Sequence, residues 1–267
     1  MLAAERHARI REALRSSRVV STEGLARGLR VSAETIRRDL AVLELRGSLT
    51  RVHGGATSNE GGFGDEASFV ERSDMQREAK QLIGKAGAAL VKPGQMVVID
   101  LGTTAVEVAR ALTKNFSGVV ATCSLLVAVE LAGLPNIEVL VSGGRLRGGD
   151  LSLSNAQAVS YFADIRADIA FLGSGGVDSE AGLTDFHLDE IAVRKTIMKN
   201  TVRSYVLADS TKFGRVARHR VAGFEEVDGV ITERTPPANI QKAIEHSGGR
   251  IILPNSLSLV DHLQRPS

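Results

Sequence analysis

Residues 21–56, STEGLARGLRVSAETIRRDLAVLELRGSLTRVHGGA, constrain the fold more than any other stretch of this chain. Ser21 or Thr22 is placed to cap a short helix through Leu29, because a short hydroxyl side chain satisfies the first free N–H groups. Arg30–Val31 supplies a turn, and Ser32 caps the next helix. There Ile36, Leu40 and Leu43 recur at i, i+4 and i+7, one apolar stripe to face a core. Glu34, Arg37, Arg38 and Ala41 fall on the other side, and Gly47 ends the helix as a C′ glycine does. Leu49–Val52 reads as a short strand, followed by His53 and Gly54–Gly55, which turn it into a hairpin. Upstream, Ile10 and Leu14 give a first helix one apolar face, and Val19–Val20 is a short extended piece. The expected fold of residues 1–56 is a winged helix-turn-helix.

Charge is divided unevenly between this segment and the rest. Residues 1–56 hold 11 Arg against 6 Asp plus Glu, while the remaining 211 residues hold 22 basic and 25 acidic side chains. A basic module on an acidic body is the footprint of a head that binds duplex nucleic acid. A recognition helix needs polar groups near its N-terminal end, and Ser32, Ala33, Thr35, Arg37 and Arg38 occupy those positions. Arg takes guanine bidentately, and Ser or Thr bonds bases or phosphates. Arg51 and His53 in the hairpin are placed for the backbone or a minor groove. Asp39 would be repelled by a phosphate and fits better as the partner of an arginine within the protein.

Composition excludes several other classes. Trp is absent and aromatics are 4 %, which leaves neither a stacking platform for single strands nor an aromatic sugar cage. The one cysteine, Cys123, excludes an internal disulfide framework and suits a reducing compartment. No apolar run approaches the ~18 residues of a membrane helix, and the charged start (Glu5, Arg6, Arg9, Arg11) is unlike a signal peptide. A cytoplasmic location, with no membrane partner, no metal and no cofactor, is expected.

Residues 57–72 read as a linker, Gly-rich and without periodicity at first. A second domain follows over 73–267. Ser73-x-x-Gln76 has the form of a capping box opening a helix that carries Ile83, Ala86 and Leu90 inward. Extended apolar runs then alternate with helical ones. Strands are expected at Met96–Asp100, Gly118–Thr122, Ile137–Val141, Ile169–Gly173, Ser204–Ala208, Gly229–Thr232 and Arg250–Leu253. Helices fit Ala105–Leu112, Leu125–Leu131, Ala156–Phe162, Leu188–Asn200 and Ala238–His246. The strands are continuously apolar rather than alternating, so both sheet faces are covered, and the expected class is α/β with a mostly parallel sheet.

In such sheets ligands sit beyond the carboxyl ends of strands. Asp100–Leu101–Gly102–Thr103–Thr104 ends one strand and opens a helix, with Thr104-x-x-Glu107 as a second capping box. Gly102 lets the backbone approach an anion, and free N–H groups with the helix dipole favour phosphate. Thr122–Cys123–Ser124, Ser142–Arg145, Gly173–Gly176 and Ala208–Gly214 repeat the arrangement after later strands. Together they point to an anionic, phosphate-bearing ligand.

Residues 31–56, V-S-x-x-T-I-R-R-D-L, then L-E, G and R-x-H-G-G-A, resemble the signature of the DeoR family of bacterial transcription regulators. The body is also similar to the effector domain of that family, through D-x-G-T-T at Asp100–Thr104, T-x-S at Thr122–Ser124 and S-G-G-x-x-R at Ser142–Arg147. Asp168–Gly173, Gly182–Thr184, Glu190 and A-D-S-x-K-F-G at Ala208–Gly214 extend the likeness over nearly the whole chain. The resemblance implies a fold similar to ribose-phosphate isomerases and acyl-CoA transferases, and a sugar phosphate or related phosphorylated metabolite as effector. Carried across by position, Gly102, Thr103, Thr104 and Lys212 hold the phosphate; Thr122, Ser124, Gly144 and Arg147 line the pocket. Asp100, Asp209 and Glu190 accept bonds from sugar hydroxyls. Two departures are Cys123, where Asn is common, and Ser154–Asn155, where a glycine is usual.

The function so implied is a DNA-binding regulator, a repressor of carbohydrate genes, released from double-stranded operator DNA by a phosphorylated sugar or polyol. Paired half-sites require a homo-oligomer, a dimer or tetramer. The rival reading is a sugar-phosphate isomerase-like enzyme carrying a helix-turn-helix, with Asp100, Asp209, Glu190 and Lys212 available for proton transfer.

Overall fold

The computed structural model describes residues 2–17, 19–45, 49–52, 54–57, 66–112 and 116–254. Gly47, His53 and residues 58–65 of the expected linker lie outside them. The chain divides into two compact units, Met1–Ala67 and Ser68–Ser267.

In the first unit, helix α1 (Ala3–Ser17) and strand β1 (Val19–Ser21) precede α2 (Thr22–Leu29), α3 (Ala33–Leu45), β2 (Thr50–Val52) and β3 (Gly55–Thr57). Ser21 caps α2, its Oγ accepting the Gly24 N–H at 3.0 Å. Arg30 ends that helix in the left-handed region, at φ 55°, so the turn forms without a glycine. The three strands pair antiparallel in the order β1-β3-β2. Ile10, Leu14, Leu25, Ile36, Leu40 and Leu43 bury together with Leu49 and Ala56 of the hairpin. Truncating one such leucine to alanine costs about 2–5 kcal/mol. Asp39 sits on the inner side of α3. Its Oδ2 accepts Arg6 Nε at 2.7 Å and its Oδ1 lies 3.0 Å from His7 Nε2, which ties α3 to α1. Burial pushes the Asp39 carboxyl up, but the Arg6 and His7 hydrogen bonds bring it below the usual carboxylate range.

The second unit opens with α4 (Phe69–Asp74) and α5 (Arg77–Ala88). The helix α4 thus begins within the span 57–72 that the sequence leaves as linker. Its capping box is Ser68 with Glu71, not Ser73 with Gln76. Ser73 lies inside α4 and donates to the Phe69 carbonyl, while Gln76 precedes α5 at φ 53° without capping it.

Next come β4 (Met96–Ile99), α6 (Thr103–Ala111), β5 (Gly118–Thr122), α7 (Leu125–Leu131) and β6 (Ile137–Val141). A hairpin of β7 (Arg145–Arg147) and β8 (Ser152–Ser154) leads to α8 (Ala156–Ala163) and β9 (Ala167–Leu172). Then follow β10 (Gly176–Asp178), β11 (Gly182–Asp185), α9 (Leu188–Lys199), β12 (Thr201–Leu207), β13 (His219–Ala222), β14 (Gly229–Ile231), α10 (Ala238–His246) and β15 (Arg250–Ile252). All seven expected strands join one parallel sheet, in the order β15-β14-β12-β9-β4-β5-β6. The antiparallel pairs β7–β8 and β10–β11–β13 were not legible as strands in the sequence.

Successive side chains of a strand point to opposite faces, and here both faces are covered. Val97, Ile99, Phe171 and Leu207 pack with residues of α5, α6 and α7. Val98, Ala170, Leu172 and Val206 pack with α8, α9 and α10. The helices α5 and α6 approach so closely at Gly84 that a Cβ there would lie 2.5 Å from the Glu107 carbonyl group. The start of α6 is also two residues earlier than expected. Gly102 occupies its N-cap at φ 112° and Thr104 lies inside the helix; the Glu107 carboxylate turns to Arg110 at 2.7 Å, so Thr104-x-x-Glu107 is not a capping box.

Candidate functional sites

In the first unit the positions expected to read DNA cluster at the start of α3. Ser32 Oγ accepts the Thr35 N–H at 3.1 Å and so caps the helix, with the Thr35 hydroxyl 2.9 Å from it. Ala33 is the first helical residue. Arg37 and Arg38 contact Glu34 at 3.3 and 3.5 Å, with side chains 64 % and 81 % exposed. Ion pairs this exposed contribute about 0–1 kcal/mol, so either guanidinium exchanges readily to a phosphate or a base edge. Arg51 is held by Glu44, whose carboxylate accepts both its backbone N–H and its Nε at 2.9 Å. A groove of about 770 Å³ is lined by Ser21, Thr22, Arg37, Arg51 and Gly54 among others, bringing α3, the α2 cap and the hairpin to one face. His53 lies outside the described residues.

In the second unit all strands of the main sheet run parallel, so the loops after β4, β5, β6, β9 and β12 open at its one carboxyl edge. Chain order reverses between β4 and β9, the position where such sheets bind ligands. There Asp100 is buried and fully engaged. Its Oδ2 accepts Arg194 Nε at 2.7 Å and the Gly173 N–H at 3.0 Å, and its Oδ1 lies 3.4 Å from Cys123 Sγ. Arg194 Nη1 reaches Asp185 Oδ2 at 2.5 Å. Burial would pull the Arg194 guanidinium down, but Asp100 and Asp185 hold it above its ordinary value. Burial likewise raises Asp185, and Arg194 brings it below the usual range. The Cys123 thiol is pushed well up by its burial and by Asp100.

A second cluster holds Glu190, whose Oε1 accepts Arg147 Nε at 2.7 Å and Ser152 Oγ at 2.8 Å. Burial raises its carboxyl in spite of Arg147. Arg147 Nη2 also bonds Asp150 at 2.8 Å, and the same Asp150 oxygen takes Arg72 Nη2 at 2.5 Å. Thr122 and Ser124 are buried and spend their hydroxyls locally: Thr122 Oγ1 accepts the Ser124 N–H, and Ser124 Oγ caps α7. Gly144, at φ 115°, lies against the Ser154 carbonyl. A cavity of about 440 Å³ opens beside Arg145, Arg147, His187, Glu190 and His219.

The third neighbourhood is cationic. No side chain caps α6, so the free N–H groups of its first turn lack an intrahelical partner. Asp209 caps the 3₁₀ turn Ser210–Lys212 through the Thr211 N–H. Among the described residues the Lys212 ammonium forms no hydrogen bond or ion pair, and burial, with Arg215 next, lowers it. Lys80 is buried and donates to the carbonyls of Arg72 and Met75. Burial brings it to about 8, against the pull of Asp209 and with Lys212 and Arg72 repelling it. Lys80 and Lys212 therefore lie within electrostatic reach of each other, and each within reach of Arg72 and Asp209.

Arg194, Lys80, Arg72 and Asp150 were missed in the sequence. Two carried a signal: Arg194 falls on the Ile191–Ile197 stripe and Lys80 on the stripe of Ile83 and Gly87, so helical period alone turns both inward.

Comparison with known proteins follows the same division. Residues 6–61 match the DeoR-like helix-turn-helix domain, and residues 75–234 match the DeoR C terminal sensor domain. The chain belongs to the DeoR family. It is a DNA-binding transcriptional regulator with a sensor domain. The chain is 34 % identical over 235 residues to the HTH-type transcriptional repressor CsqR of Escherichia coli K12, covering 88 % of this chain and 89 % of that one. Identity to the glycerol-3-phosphate regulon repressor of the same strain is 30 % over 240 residues, 90 % and 94 % of the two chains. The ribose 5-phosphate isomerase A structure from Methanocaldococcus jannaschii aligns with TM-score 0.39 and 18 % identity, over 52 % of this chain and 55 % of that one. Among the described residues of this DeoR-family protein, no helix is long and apolar enough to cross a membrane.

Proposed function

We propose that this protein is a cytoplasmic, non-enzymatic repressor that binds operator DNA through residues 1–56 and is released by a phosphorylated sugar or polyol bound in residues 73–267. Ser32, Ala33, Thr35, Arg37 and Arg38 read the operator, with Arg51 and His53 on its backbone. The observation that carries the effector assignment is Lys212, unpartnered among the described residues and beside other cations, at the same sheet edge as the uncapped start of α6. A phosphate bridging Gly102–Thr104 and Lys212 satisfies both. Glu190, Arg147 and Asp209 then face the hydroxyls, with Asp100, Thr122, Ser124 and Gly144 shaping the pocket behind them. The names of the relatives, repressors and a glycerol-3-phosphate regulon among them, support this reading. A homo-oligomer supplies the two heads that paired half-sites require.

An isomerase-like enzyme is the second reading, favoured by the raised carboxyl of Glu190. One experiment separates the two. The purified chain and its Lys212→Ala variant are heated with inorganic phosphate, glycerol 3-phosphate and a set of hexose and pentose phosphates, and each mixture is assayed for turnover. A rise in melting temperature that needs Lys212, without turnover, supports the sensor. Turnover at enzymatic rates refutes it, and no stabilisation by any phosphorylated compound refutes the effector class.

A further inference from the structure

Helix α4 is the first element of the sensor unit that the chain enters on leaving the DNA-binding unit; Phe69 packs it on the core, and buried polar contacts tie it at its end and its side. At its end, the carbonyls of Arg72 and Met75 accept the Lys80 ammonium, the second at 2.7 Å. From its side, Arg72 reaches Asp150 at 2.5 Å, with the two side chains 13 % and 3 % exposed. Asp150 stands in the turn of the β7–β8 hairpin and shares one oxygen between Arg72 and Arg147, which continues to Glu190 at 2.7 Å. The ladder α4–Arg72–Asp150–Arg147–Glu190 therefore runs from the entry helix into the pocket.

Arg72 is also close enough to Lys80 and Lys212 for its charge to weigh on both. It stands between a carboxylate that attracts it and two ammonium groups that repel it. An anion seated on Lys212 reverses the second influence, because a doubly charged phosphate beside a lysine attracts a neighbouring guanidinium and bonds it in bidentate fashion. Asp150 keeps Arg147 as its partner when Arg72 leaves, so the exchange strands no buried carboxylate.

We propose that Arg72 is the positioning residue that reports effector occupancy to helix α4, paired with Asp150 while the pocket is empty and drawn to the anion when it is filled. This rests on reading the Lys212 neighbourhood as the anion site. In the empty state the pair fixes α4 against the β7–β8 turn. In the filled state α4 loses that anchor, and the change is delivered to the chain that leads to the DNA-binding unit. Two arrangements of one side chain, each favoured by one ligand state, are what linkage between the sites requires.

The test is hydrogen exchange of the full chain, followed at Val70–Met75, with and without saturating glycerol 3-phosphate or inorganic phosphate, alongside calorimetric binding of the same compounds. In the wild type, saturation should speed exchange of these amides by about tenfold, the size of an ordinary coupling. Arg72→Gln, which removes one contact to the anion, should exchange at the fast rate in both conditions and bind the anion more weakly but still saturably. Asp150→Asn should exchange fast in both conditions through the other partner without that loss of affinity. Arg72→Lys, which keeps the charge but not the fork, should restore part of the difference. Saturable binding with unchanged α4 exchange in the wild type overturns the proposal, as does a full response in Arg72→Gln. Absence of any calorimetric binding that Lys212→Ala removes overturns the anion site itself, and this proposal with it.

Discussion

Arg194 Nε lies 2.7 Å from Asp100 Oδ2, with side chains 2 % and 1 % exposed, so the helix α9 seats a guanidinium on the carboxylate that follows the central strand β4. Asp185 takes the other end of that guanidinium, which leaves one cation between two carboxylates inside the sensor unit. Removing one partner of a buried pair costs about 3–5 kcal/mol, because the remaining charge stays buried. Arg194→Met should therefore lower the stability of the sensor unit by that amount in urea unfolding. Adding Asp100→Asn and Asp185→Asn should recover much of it. Equal stability of wild type and Arg194→Met would show that the pair does not stabilise the sensor unit.

The exposed arginines of α3 separate base reading from charge. Arg38→Ala should weaken binding to the preferred site by about 10- to 100-fold and relax preference at one base pair. Arg51→Ala should reduce affinity for all duplexes alike and lower the salt slope by about one. Selection from a randomised DNA pool, followed by titration at several salt concentrations, measures both. Equal losses on selected and random DNA for Arg38→Ala would remove its base-reading role.

Lys80 gives the sensor unit a signature in alkaline solution. Burial brings its ammonium to about 8, below the unfolded value of ~10.4. The native state therefore releases this proton before the unfolded state does, and stability rises with pH between those two values. Below pH 8 both states are protonated and the buried charge carries its full cost. The stability of wild type relative to Lys80→Met should be flat at neutral pH and climb between pH 8 and 10 by up to about 3 kcal/mol. Urea midpoints measured across that range check it, and a constant difference would contradict it.

Asn155 stands at φ 97° and ψ −173° at the start of α8, a region of backbone space that is nearly glycine's alone. The departure from the usual family glycine noted at Ser154–Asn155 is thus a strained residue. Its side chain returns part of the cost by accepting the Gln157 N–H at 3.0 Å. Replacing a capping Asn by Gly costs only a few tenths of a kcal/mol, less than the strain relieved. Asn155→Gly should stabilise the chain by about 1 kcal/mol in thermal unfolding. A lower melting temperature would mean that the cap outweighs the backbone.

Much of this was legible in the sequence because long apolar runs and helix caps are local signals. All seven strands of the parallel sheet, the apolar stripe of α3, the Ser32 cap and the inward-facing role of Asp39 follow from residues within a few positions of one another. The hairpin strands Arg145–Arg147 and Ser152–Ser154 are too short to show a period. The capping box expected at Ser73 lies instead at Ser68 and Glu71, because the pattern recurs within a few residues and packing decides which copy begins the helix. At Thr104 the helix starts two residues earlier, on Gly102, with no side-chain cap. For Asp100 and Glu190 the sequence supplied the acceptors but not their partners. Arg194 and Arg147 reach them from 94 and 43 positions away, and composition does not encode such a distance.

The pairing of β4 with β9 has a consequence for how the protein is made. Met96 N–H bonds the Asp168 carboxylate across 72 positions, and β5 and β6 are synthesised in between. At about 5–20 residues per second, the nascent chain waits about 4–14 s with one edge of its central strand bare. The DNA-binding head, which buries a core of its own, is synthesised before that interval begins. Each newly made copy therefore passes through a stage in which an operator-reading head precedes a sensor still without its floor, and the pace of translation through residues 101–172 sets how long it lasts.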